Sequence, residues 1–227
     1  MDKCNCNGCE LKSLFFQNVS PQVVESICDR KSQYDYKKGE VIIGEGDEIK
    51  DFIYLKNGLV KLYRSGSNDK EQIICFALPL DFVSLLSIFS ENRYKYSVAA
   101  LENSTTCNIN LAEVKTLAEE NGKFALNMMQ KINGASDRII IDSLEVKQKR
   151  LLGRVAYFLL YFSNTVYHDN TFDLPVSRKE IAEYIGMTVE NVIRTLSDFR
   201  KDGIIKTDGV KIEITDKEGL VRISEYN

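Results

Sequence analysis

The 227-residue chain is 44% hydrophobic with a formal net charge of −3, which gives length and apolar content for two modest cores. No apolar run approaches membrane-spanning length and the start, MDKCNCNG, has no signal-like apolar stretch, so a cytoplasmic protein with no membrane partner is expected. From Lys147 onward 13 basic residues stand against 12 acidic ones, and before it 17 against 21, an asymmetry that permits a nucleic-acid surface of a few placed contacts without requiring one.

Cys4, Cys6 and Cys9 fall within six residues near the start of a chain that has six cysteines in all. In a cytoplasmic setting this argues for metal or redox chemistry before disulfides. PQVVESICDR reads as a first helix, with Cys28 on its core side. From about Tyr34 to Ile109, short β-type runs alternate with turns: EVIIGEGD, DFIYLKNGLVKLYRSGSND, EQIICFALPLDFV and YSVAALENSTTCNI. Asn57-Gly58 marks one hairpin, and Gly44 and Gly46 bracket another turn. The pattern predicts an antiparallel β-roll of about eight strands with a helical insert near Ser84 to Phe89. Cys75 reads as a core residue, and Cys107 lies in the last strand.

A long helix is predicted from about Gly122 to Val146. On it Ala125, Met128, Ile132, Ala135, Ile139 and Val146 recur at spacings of three, four and seven, with Asp142 as the polar interruption. Such a stripe is either ordinary core or a dimer seam. A helix joining two domains has less neighbouring core to cover it, so a homodimer seam is expected, with a mild repulsive element at Asp142. A twofold dimer would place two recognition helices one DNA turn apart on a palindromic site.

SRKEIAEYIGMTVENVIRTLSDFRKDG, residues 177–203, reads as a helix-turn-helix. Ser177 caps the first helix, Gly186 ends it, and Thr188 caps the second. Val192, Leu196 and Phe199 form an inward face, while Glu190 and Arg194 lie four apart on another, near the N-terminus where a recognition helix meets base edges. Arg pairs bidentately with guanine, and Glu accepts from cytosine N4. The plainer alternative is a solvated salt bridge on a helical hairpin. IIKTDGVKIEI, with two β-rich runs around Asp208-Gly209, is a hairpin placed as a wing. The predicted DNA-binding set is Ser177, Arg178, Thr188, Val189, Glu190, Asn191, Arg194 and Lys206. Within it Glu190 and Arg194 read bases. Arg178, Thr188, Asn191 and the wing lysines, with Lys201 and Lys211 among the basic candidates, reach phosphates. His168, the single histidine, sits in the polar loop NTVYHDNTF and reads as solvated. No glycine-rich phosphate loop or catalytic constellation occurs, and an enzyme is not expected.

With KKGEVIIGEGDEIKDFIYLKNGLVKLYR, LPLDFV, LENSTTCNI and the helix-turn-helix block in that order, the chain resembles Crp/Fnr family transcription regulators over nearly its whole length. The resemblance implies an α+β fold: an N-terminal antiparallel β-roll of the cyclic-nucleotide-binding type, a long dimerisation helix and a C-terminal winged helix. The expected boundaries are 1–110, 111–146 and 147–227. It implies double-stranded DNA as partner, RNA polymerase as a further one if the protein activates, and a TGA-like half-site core read by the E-x-x-x-R at Glu190 and Arg194. Where the Fnr-like branch has Ser before that Arg, this chain has Ile193, so the outer base is unassigned.

Family members that bind a cyclic nucleotide use Gly-Glu and Arg-Ser pairs. Here Ser84-Leu85 and Lys95-Tyr96 stand in those places, so cyclic AMP is not expected. In the Fnr-like branch N-terminal cysteines and one remote cysteine hold a [4Fe–4S] cluster. Cys6 and Cys9 match its C-x-x-C, Cys107 matches the remote ligand, and Cys4 stands in for a further ligand that would fall at Phe15. Thiolates also suit zinc or thiol redox chemistry, and the remaining alternative is an N-terminal segment with unrelated cysteines and Cys107 as a small apolar residue. The apolar seam favours a standing dimer whose DNA-binding domains a signal re-angles. The competing classes are a regulator of this fold with a small effector in the β-roll, and a cyclic-nucleotide-binding-like module that does not bind DNA.

Overall fold

A computed structural model describes residues 16, 18–66, 70–84 and 86–226; Cys4, Cys6 and Cys9 lie outside them. The described chain packs as two units, one of residues up to 62 with 76–138, the other of residues 63–75 with 139–227.

The first unit opens with helix α1, Pro21–Arg30, which buries Val24 and Ile27. Seven strands follow in chain order among the described residues, with residues 63–75 of β4 and β5 counted in the second unit: β1 Ser32–Tyr36, β2 Val41–Ile43, β3 Asp51–Asn57, β4 Val60–Ser65, β5 Glu71–Ala77, β6 Ser97–Ala100 and β7 Ser104–Asn110. They form two sheets, ordered β1-β7-β3 and β2-β6-β4-β5. Both neighbours of β7 run antiparallel to it, so most of its side chains are buried, whereas edge strand β1 is largely exposed. Seven strands among the described residues compare with the expected count of about eight. Between β3 and β4, Gly58 has φ +94°, and a Cβ there would stand 2.7 Å from the Asn103 carbonyl oxygen, so only glycine fits the turn.

The expected helical insert near Ser84 to Phe89 is a run of turns among the described residues. Ser84 Oγ, fully buried, accepts from Ile53 N–H at 3.0 Å, and the Tyr96 hydroxyl accepts from Leu86 N–H at 3.3 Å. Partners on a neighbouring strand and ring take up polar groups around a segment that a helix would otherwise organise.

Helices α2, Leu111–Glu120, and α3, Gly122–Gln148, follow. The long helix matches expectation, and the residues of the expected seam differ in burial. Met128 (4% exposed) and Val146 (5%) are buried by their own chain, and Ile132, Ala135 and Ile139 are half-buried. Asp142 Oδ1 accepts the Tyr157 hydroxyl at 3.2 Å. Burial, then the charge of Asp142, pushes that phenol well above its ordinary range. The outward apolar side chains are Leu126, Met129, Ile140, Ile141 and Leu144. Two apolar stripes thus run along α3, one buried to half-buried and one exposed.

The second unit continues with α4, Leu151–Tyr161, a π-helical turn over Phe162–Val166, β8 Thr171–Asp173, α5 Arg178–Ile185, α6 Val189–Lys201, β9 Ile205–Asp208, β10 Lys211–Ile214 and α7 Lys217–Tyr226. Phe158, Phe162, Tyr167, Phe172 and Tyr184 form a chain of ring contacts through this core. The wing has three strands, ordered β8-β10-β9, where a two-stranded hairpin was expected. Its extra strand comes from the segment read as a polar loop, with Ile212 opposite Phe172. His168 is exposed in that segment and has φ +53°.

Candidate nucleic-acid interface

Local chemistry sets the ends of α5 and α6. Ser177 and Glu180 form a reciprocal capping box: Ser177 Oγ accepts from Glu180 N–H at 3.2 Å, and Glu180 Oε2 accepts from Ser177 N–H at 2.8 Å. The Ser177 hydroxyl also donates to Glu180 Oε2 at 2.9 Å, so its hydrogen bonds are already spent on the helix start. Gly186, at φ +66°, takes the left-handed conformation that closes α5. Two residues on, Thr188 Oγ1 accepts from Asn191 N–H at 3.3 Å and starts α6. This tight connection fixes the two helices as one motif.

Helix α6 divides cleanly. Val192, Thr195, Leu196 and Phe199 are buried at helical spacing, and removing a ring such as Phe199 from such a core costs roughly 3–5 kcal/mol. On the opposite side Glu190, Ile193, Arg194 and Arg200 are exposed, with Val189 and Asn191 half-buried at the start. The E-x-x-x-R salt bridge that served as the plainer alternative does not form. Arg194 Nη2 donates instead to Asn191 Oδ1 at 2.9 Å. Hydrogen bonds from its own backbone N–H and the Thr188 hydroxyl hold the Glu190 carboxyl below the usual range. Glu190 is thus an acceptor-only group at neutral pH, and it and Arg194 leave each other's charge uncompensated. A face of this kind offers a carboxylate, a guanidinium and, between them, the apolar side chain of Ile193 at 52% exposure.

The remaining predicted contacts are less free. Arg178 is half-buried, and burial lowers its pKa without taking it from the charged form. Lys206 Nζ lies 3.0 Å from Glu213 Oε1 across the wing. Lys201 Nζ is 3.9 Å from Asp198 Oδ1. Lys211 is exposed on β10 beside the Asp208-Gly209 turn.

Two side chains that matter here were not singled out as contacts from the sequence. In the sequence Ile193 does no more than leave the outer base unassigned. Arg154, on α4, has its guanidinium bonded to four carbonyl oxygens: Nε to Lys149 at 2.9 Å, Nη1 to Ile185 at 3.1 Å and Gly186 at 3.3 Å, and Nη2 to Lys147 at 3.3 Å. Nothing in a linear reading brings residue 154 to residues 185 and 186.

In the β-roll, the positions matched to a nucleotide clamp are otherwise engaged. Ser84 is bonded to the Ile53 main chain, Lys95 is paired with Glu91, and the buried Tyr96 hydroxyl donates to the Val83 carbonyl at 3.1 Å. Cys107 is 4% exposed in mid-strand, while Cys28 and Cys75 are only half-buried, a correction to their reading as core. Among the described residues no three His, Cys, Asp or Glu side chains gather to hold a metal, so these residues alone do not make a site for a [4Fe–4S] cluster or zinc. No helix among them is long and apolar enough to cross a membrane.

Against known proteins, residues 153–223 match the Crp-like helix-turn-helix domain and residues 34–121 the cyclic nucleotide-binding domain. The chain is 26% identical to the transcriptional activator protein FnrA of Stutzerimonas stutzeri, over 98% of this chain and 93% of that protein. It is 27% identical to the fumarate and nitrate reduction regulatory protein of Escherichia coli (strain K12), over 98% and 91%. Among solved structures it is similar to FixK2 from Bradyrhizobium japonicum, with 25% identity, a TM-score of 0.75 and coverage of 85% and 96%. A transcriptional regulator of the crp/fnr family from Eubacterium rectale shares the fold at 20% identity and a TM-score of 0.76, over 93% and 97%.

Proposed function

The chain belongs to the Crp/Fnr family and is a DNA-binding transcription regulator; from that premise we propose that it binds a palindromic site as a homodimer, with α6 in the major groove and Glu190, Ile193 and Arg194 at base edges. The observation that carries this reading is the open face of α6, where an ionised carboxylate and a guanidinium four residues apart stay unpaired with each other. Arg194 reads guanine bidentately and Glu190 accepts from cytosine N4, which suits a TGA-like half-site. Arg178, Thr188, Asn191 and Lys206 serve phosphates, with Lys206 exchanging Glu213 for the backbone. Ser177 and Val189 support the start of each helix. RNA polymerase is a further partner if the protein activates.

The dimer forms through the outward stripe of α3, Leu126, Met129, Ile140, Ile141 and Leu144, flanked by the half-buried Ile132 and Ile139. The sensed signal is oxygen or redox state, taken up by Cys4, Cys6 and Cys9, with Cys107 as the remote thiol of a [4Fe–4S] site. What supports this is the spacing of the three N-terminal cysteines and the likeness to fumarate and nitrate reduction regulators. A cyclic nucleotide is not proposed, because Ser84, Lys95 and Tyr96 are bonded to their own chain.

Binding to a palindrome with TGA-like half-sites, measured against a shuffled duplex over a salt series, tests the reading. Arg194→Ala is expected to cost roughly 1–3 kcal/mol on the palindrome and to relax one base pair, leaving the shuffled duplex unaffected. Equal binding of both duplexes by the wild type sinks it.

A further inference from the structure

We propose that Arg154 is the positioning residue that sets the half-site spacing this protein accepts, by clamping the recognition motif to the end of α3; this rests on the DNA-binding reading above. Its guanidinium accepts nothing and donates to four carbonyls from two places. Lys147 and Lys149 lie at the end of α3, and Ile185 and Gly186 lie at the end of α5. Both are C-terminal helix ends, where the last carbonyls lack intrahelical partners and carry partial negative charge. One planar cation therefore satisfies two sets of orphan acceptors at once. Lysine, a point charge on a flexible stem, cannot bridge them in a fixed direction.

The clamp bears on function because α5 and α6 turn as one body through the Gly186–Thr188 connection. The direction in which α6 leaves the end of α3 is set where Arg154 holds α5. In a twofold dimer built on α3, that direction fixes the separation and rotation of the two recognition helices. A Cβ at Gly186 would meet Arg154 Nη1 at 3.6 Å, an ordinary contact distance, which places the guanidinium beside the left-handed residue that ends α5. Removing the clamp frees the direction without touching the base-reading face.

The test is a series of palindromes whose half-site centres are moved apart or together by about two base pairs, a rotation of roughly 70° on a helix of about 10.5 base pairs per turn. Wild type is expected to prefer its best spacing by at least about tenfold. Arg154→Lys and Arg154→Ala are expected to flatten that preference below about threefold while holding affinity for a single half-site within about twofold. Millimolar methylguanidinium should restore the preference to Arg154→Ala, and methylammonium at the same ionic strength should not. If both variants lose affinity equally at every spacing and on the single half-site, Arg154 is merely structural and the proposal falls. A wild type that binds no half-site specifically overturns the DNA reading itself, a separate result.

Discussion

Ile193 is the residue whose exposure asks most for an explanation. A half-exposed isoleucine between two charged groups on an amphipathic helix is costly to leave in water and useful against a thymine methyl. Replacing single thymines of the half-site by deoxyuridine should weaken wild-type binding about threefold to tenfold at one position, and Ile193→Ser should abolish that sensitivity. If no thymine in the half-site is methyl-sensitive, Ile193 faces away from the bases. Asn191 lies on the same face and accepts from the guanidinium of Arg194, which fixes part of that side chain's direction. Glu190 contributes an acceptor that stays ionised, because its own N–H and the Thr188 hydroxyl favour the charged form.

At the scale of elements, capping and covering decide the outcome. Ser177→Ala removes the acceptor for Glu180 N–H and one half of the capping box, and should lower stability by about 0.5–2 kcal/mol in a denaturant melt. Its effect on DNA binding should follow from helix loss alone, since that hydroxyl is taken up by Glu180. Helix α3 yields a pair of opposed expectations. Ile140, 57% exposed, should be the dimer contact, and Ile140→Glu should give a folded monomer by light scattering. Val146 is turned into its own unit, so Val146→Glu should lower the melting temperature, because a carboxylate buried without a partner is strongly unfavourable. A folded monomer from Val146→Glu together with an intact Ile140→Glu dimer would reverse the assignment of faces.

At the scale of the whole molecule, the proposed redox sensing has a direct spectroscopic test. Protein prepared without oxygen should absorb near the ~400 nm region typical of thiolate-bound iron–sulfur centres, bleach in air, and lose the band on Cys107→Ser or Cys9→Ser. A colourless protein with stoichiometric zinc would replace that reading by a zinc site. Much of the architecture was legible from residue order. Alternation with turn residues located the β-roll, and Ser177, Gly186 and Thr188 located the motif to the residue, because caps and turns depend on dihedral preferences and partners within four positions. Packing overrode local pattern elsewhere. The apolar period of α3 was real, yet which of its two apolar stripes the chain covers depends on neighbours far along the sequence. The third wing strand pairs residues 171–173 with 211–213 across some forty positions, and Arg154 meets carbonyls 31 and 32 residues away. Caps and periodicity were enough to locate a helix-turn-helix and a hairpin after it, and the resemblance of the motif blocks, in their order, placed the chain among regulators. Only chain closure in three dimensions decided which stripe of α3 stays exposed and which carbonyls Arg154 meets, since a contact between distant residues leaves no periodic trace in either segment.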